Sequence, residues 1–103
     1  SNSIYNLKHT TMKKNYIVIT EFSYNRNSDF KIQSFPRTFT TEKRALDFVE
    51  IFINKMIGSK KIREGNMMDA NGNIWDNVIM IETDSLSYYR IKIHGVYVNN
   101  NSL

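Results

Sequence analysis

Cysteine is absent from the 103 residues, which removes disulfides, thiolate-bound zinc, iron–sulfur clusters and thiol nucleophiles from consideration. Histidine occurs only as His9 and His94, so almost nothing is left to ligate a transition metal, and neither a metal nor a cofactor is expected. The four glycines are dispersed, and no phosphate-cradling loop, dinucleotide fingerprint or nucleophile elbow occurs. No apolar run exceeds four residues, far short of a bilayer span or a secretory apolar region. A cytoplasmic protein without membrane contact is therefore expected. Acidic residues are in deficit, ten against fourteen Lys and Arg, which disfavours an acidic DNA mimic and permits contact with nucleic acid without requiring it.

A chain of this length holds one domain with a single two-layer core. The 41% hydrophobic content is enough to fill it. Asparagine and isoleucine each occur thirteen times, a bias typical of AT-rich genomes such as those of low-GC bacteria and their phages. The opening stretch lacks periodicity, so residues 1–14 read as a disordered arm or an appended leader, 15–98 as one domain, and 99–103 as a disordered tail.

Strand composition runs from Tyr16 to Tyr24 in "YIVITEFSY", and the turn formers of "NRNSD" end it. From Phe30 the alternation slips by one around Pro36, which has no N–H for a ladder, so an edge strand with a bend near Ser34 to Pro36 is predicted. "TTEKRALDFVEIFINKMIGSKK" is the clearest element. At 100° per residue Ala45, Leu46, Phe48, Val49, Phe52, Ile53, Met56 and Ile57 share half the circumference, and Ile51 alone sits badly. Thr40 or Thr41 is placed to cap the start, and Gly58 with Lys60 and Lys61 to close the end. Asn71-Gly72 is a strong hairpin signal after a short strand; "NIWDNVIMIET" and "YYRIKIHGVYV" complete the pattern. These elements predict an α+β fold in the order β-β-α-β-β. A single antiparallel sheet of four to five strands, one of them a short extra hairpin strand, packs on one long amphipathic helix.

The last strand sets the functional question. If Tyr89, Ile91 and Ile93 face the helix, Tyr88, Arg90, Lys92 and His94 face away, joined by Lys31 and Arg37 from the edge strand. Such a face can hold a single-stranded nucleic acid through stacking and phosphate contacts, yet any one-sided sheet alternates in this way. Lys60, Lys61 and Arg63 form a second basic group, read as a loop after the helix. His94 with Lys92, Arg90 and Tyr88 is also the inventory of a metal-free ribonuclease, with Glu21 and Glu82 as candidates for the second acid or base if their strands neighbour the last one. "DANGNIWD" resembles a calcium loop in its alternate Asp and Asn, but its glycine is fourth rather than sixth and its twelfth position is Met80, so a hairpin turn explains it better.

"IWDNVIMIE" is apolar on both faces, which predicts cover on the side away from the helix. The leading expectation is a small, non-enzymatic binding protein, an accessory or inhibitor protein of a phage or mobile element, presenting a sheet face to a protein partner or in a homodimer. A basic nucleic-acid-binding module and the ribonuclease are the alternatives.

Overall fold

The computed structural model describes residues 12–69 and 71–99. It contains β1 (Met12–Ser23), β2 (Lys31–Ile32), β3 (Arg37–Phe39), α1 (Glu42–Asn54), β4 (Lys60–Met68), β5 (Ile74–Glu82) and β6 (Tyr88–Asn99). All pairings are antiparallel, in the order β2-β1-β6-β5-β4 with β3 also on β1. Residues 1–11 and 100–103, including His9 and most of the expected arm and tail, lie outside the described residues. Met12 to Lys14 pair with Asn99 to Tyr97, so the paired strands extend beyond the expected domain limits at both ends.

The predicted architecture of a few-strand α+β sheet on one long helix is overturned. Sheet makes up 55% and helix 15% of the structure, and the sheet curls into an antiparallel half-barrel. Two local readings account for the error. Lys60 to Asn66, expected to be loop, belongs to the nine-residue strand β4. The register shift between Lys61 and Arg63 puts an extra residue into β4 and breaks its alternation, and the shift opposite Gly65 and Met67 puts one into β5 between Trp75 and Val78; both add twist. The helix is also shorter than its apolar stripe implied. Its N-cap Thr41 accepts a hydrogen bond from the Arg44 N–H at 3.2 Å, but regular helix stops at Asn54. The Ser59 hydroxyl then takes the Met56 carbonyl at 2.8 Å, leaving Ile57 exposed.

Pairing register assigns the two faces. On the helix side, rows across β1, β6, β5 and β4 read Thr20, Ile91, Ile79, Glu64 and Phe22, Tyr89, Ile81, Lys61. Val18, Ile79, Ile81, Ile91 and Ile93 pack there against Ala45 and Val49 of α1, with Phe39, Phe48 and Phe52 around them. On the other side the rows read Ile19, Lys92, Val78, Gly65 and Glu21, Arg90, Met80, Arg63. Here too β5 is covered: Val78 is 1% and Met80 6% exposed. The chain itself covers part of this side: the Phe30 ring lies against Arg90 and the Trp75 ring against Lys92, the β6 neighbours of Met80 and Val78.

The expected edge bend is present. β2 and β3 pair with successive parts of β1; Gln33 still donates its N–H to the Thr20 carbonyl at 2.8 Å, and residues 34–36 bulge away. The hairpin at Asn71-Gly72 also forms, with Gly72 at φ +85° and its N–H donated to the Asp69 carbonyl at 3.0 Å. Gly58, between α1 and β4, has φ +81°, and a Cβ placed on it would lie 2.9 Å from Cβ of Asp84. Gly58→Ala is expected to lower stability by about 1–3 kcal/mol through backbone strain and this contact, read as a reduced urea midpoint at unchanged slope.

Candidate functional site

Alternation along β6 places Tyr88, Arg90, Lys92 and His94 on the side away from α1. The structure does not leave them as a free basic row. Glu21 stands opposite Arg90 on β1, and its Oε1 accepts from Arg90 Nε at 2.7 Å and lies 3.2 Å from Lys92 Nζ. All three side chains are largely withdrawn from water, at 12%, 23% and 10% exposure for Glu21, Arg90 and Lys92. An aromatic ring backs each cation: Arg90 Cζ is 4.3 Å from the Phe30 ring centroid and Lys92 Nζ 4.4 Å from that of Trp75. In this half-dry setting the attraction and the cation–π contacts act at higher strength than they would in water.

The neighbouring polar groups are similarly committed. Tyr88 donates its hydroxyl to Glu82 at 3.1 Å, and Lys60 lies 3.4 Å from the other oxygen of that carboxylate. The Glu82 hydrogen bond, with partial burial and the Glu82 charge, raises the Tyr88 pKa above its ordinary value. His94 is exposed and meets the Trp75 ring edge at 5.4 Å between centroids. It lies four residues along β6 from Arg90, the partner of Glu21, or about 13 Å at strand spacing; Glu82, opposite Tyr88, is farther. The strands of Glu21 and Glu82 do flank β6, as the ribonuclease reading required, but neither carboxylate stands beside His94.

The remaining basic candidates divide between the faces. Lys31 stands opposite Phe22 and Arg37 opposite Val18, with the Arg37 guanidinium 4.9 Å from the Phe48 ring of the helix. Both are on the helix side and cannot join the Arg90 row. Lys61 is also on that side, ion-paired with Glu64 at 2.9 Å. Arg63 alone joins Arg90 across Met80.

Beside that row, the loop after β1 and the β4–β5 hairpin enclose a cleft of about 590 Å³. Arg26 and Phe30 come from the loop, Met67 and Asp69 from the hairpin, and Arg63, Met80 and Arg90 from the sheet. The volume falls within the range of small-ligand pockets. Arg26, Phe30, Met67 and Asp69 are absent from the sequence-derived site. The one local signal for Asp69 was its place in "DANGNIWD", a stretch suited to an Asx turn. Its carboxylate accepts from the N–H groups of Asn71 and Asn73, both at 2.9 Å, and from Trp75 Nε1 at 3.0 Å. The Trp75 bond foremost, with the Asn73 backbone bond next, holds the Asp69 pKa down at about 2. Among the described residues no group of three His, Asp or Glu is placed to hold a metal ion.

No protein-family model, curated protein or solved structure matches this chain. Sequence, fold and site geometry therefore carry the functional argument.

Two measurements test the geometry. Glu21→Gln leaves Arg90 and Lys92 side by side without their carboxylate, and is expected to lower unfolding free energy by about 2–3 kcal/mol, below the fully buried case because Arg90 keeps some solvent contact. Chemical denaturation of the variant reads this directly. For Asp69 the folded pKa is depressed from 3.8 to about 2, so the stabilisation is complete above the unfolded value and is lost as pH falls through the folded one. Trp75 emission in the folded protein should therefore titrate near pH 2, and Asp69→Asn should abolish that step.

Proposed function

We propose that this protein is a small, non-enzymatic binding protein that works through protein–protein contact at the corner of the sheet formed by the end of β1 and the broken edge strand. The observation that carries this reading is the exposure of Tyr24, Ile32 and Phe35, at 80%, 64% and 92%. They are joined by two adjoining hollows that share Ile32 and Gln33. Apolar side chains so fully in water are ordinary when scattered and informative when contiguous. Residues 34–36 leave the ladder beside them, after Gln33 has given its N–H to the Thr20 carbonyl at 2.8 Å, so this edge is set apart from the regular strands, as edges that meet another chain often are.

A second copy of this chain is the occupant that fits best. Asp29 and Lys31 border the same corner, so a twofold axis would bring the lysine of one copy to the aspartate of the other, as an isologous contact requires. Three large side chains with their surroundings supply roughly 500 Å² per partner, near the lower limit of about 1,000 Å² in total for a specific interface. A weak, concentration-dependent dimer follows. The face away from the helix is less suited to the role, because its apolar positions on β5 are already buried.

Light scattering across a concentration series should show the mass rising from one copy toward two. Phe35→Asp should hold the protein at one copy with its far-ultraviolet circular dichroism unchanged. A parent protein that stays monomeric at high micromolar concentration, or a Phe35→Asp variant that dimerises like the parent, rules this surface out.

A further inference from the structure

The arginine cleft lies on a different part of the sheet from the Tyr24, Ile32 and Phe35 corner, and its chemistry is independent of that reading. Three guanidinium groups reach it from three separate segments: Arg26 from the loop after β1, Arg63 from β4 and Arg90 from β6. Arg63 and Arg90 occupy one row with Met80 between them, two strand spacings or about 10 Å apart at the backbone. Two long arginine side chains can converge on a single group above Met80 from that separation. Arg26 also acts electrostatically on the Tyr88 phenol, which places its charge on the same side of the sheet as Arg90.

Charge accounting within the cleft leaves a cationic excess. Arg90 uses Nε on Glu21, so the two terminal nitrogens of its fork are not engaged by that bond. Among the described residues, neither Arg26 nor Arg63 belongs to an ion pair. The carboxylate on the cleft wall, Asp69, is occupied by its own hairpin through the Asn71, Asn73 and Trp75 donors. Arginine forks match the planar edges of phosphate oxyanions in a way that single ammonium groups do not. Beside the polar Asn27 and Asn71, the rest of the lining offers adaptable apolar surface: Phe30 presents a ring already backed by Arg90, and Met67, Met68 and Met80 are unbranched thioethers that reshape around a flat partner. A volume of about 590 Å³ exceeds what a bare phosphate fills and suits a phosphate attached to a planar or ribose-sized body.

We propose that this cleft binds a small phosphorylated ligand of nucleotide size. Arg26, Arg63 and Arg90 hold the phosphate, and Phe30, Met67 and Met80 contact the attached body.

Isothermal titration calorimetry at low salt with adenosine 5′-monophosphate and with adenosine as probes tests the assignment. The nucleotide should bind saturably and adenosine should not. Arg63→Ala and Arg26→Ala should each weaken nucleotide binding by about tenfold or more, as expected for loss of a charge-assisted hydrogen bond. Both side chains are exposed, so unchanged thermal unfolding of each variant separates lost binding from lost fold. A nucleotide that binds no better than adenosine, or that binds both variants as it binds the parent, overturns the proposal.

Discussion

The contact among Glu21, Arg90 and Lys92 is the constraint on which the side of the sheet away from the helix depends. Removing two cations from water in the middle of a sheet is unfavourable unless their charge is met in place. Glu21 meets it from the adjacent strand, Phe30 closes over Arg90 from the loop after β1, and Trp75 closes over Lys92 from the start of β5. One carboxylate thus holds in place the two cations on which both rings rest. It also resolves the apparent conflict in β5, an inner strand with apolar residues on both faces and a helix on only one.

Curvature is the second organising feature, and it arises from irregularities. Register shifts at two places in the β4–β5 pair and the departure of residues 34–36 from the edge twist an antiparallel sheet that would otherwise lie flatter. The same irregularities generate both candidate surfaces. The break in the edge strand lifts Phe35 into solvent, and the curl brings the β4–β5 hairpin toward the loop after β1 to enclose the arginine cleft. Charge within that cleft is sorted by the hairpin itself, since Asp69 is taken up by local N–H donors and the arginines are left to face outward.

Much of the local structure was legible in the residues. The β-branched run of β1, the bend at Pro36, the Thr41 cap, the Asn71-Gly72 turn and the alternation of Tyr88 to His94 follow from short-range rules of backbone sterics and side-chain period. β4 was not, because the extra residue between Lys61 and Arg63 displaces its side chains from the period-2 pattern and its basic composition resembles a solvated loop. The candidate site was legible only in part. Arg63 and Arg90 were singled out as basic strand or loop residues, but nothing local distinguishes them from Lys31, Arg37 or Lys61, which the register sends to the opposite face.

By itself, then, the sequence determined a chain without disulfides, the positions of its principal strands and turns, the start of its helix, and the shared face of Arg90 and Lys92. Tertiary structure alone decided that Glu21 would take up the charge of residues 69 and 71 positions further along the chain, that β4 would be a strand, and that Arg26 would come to the same cleft as Arg63. The physical reason is range. Periodicity and turn chemistry act over a few residues, whereas charge compensation, curvature and the enclosure of a cleft depend on which distant strands become neighbours.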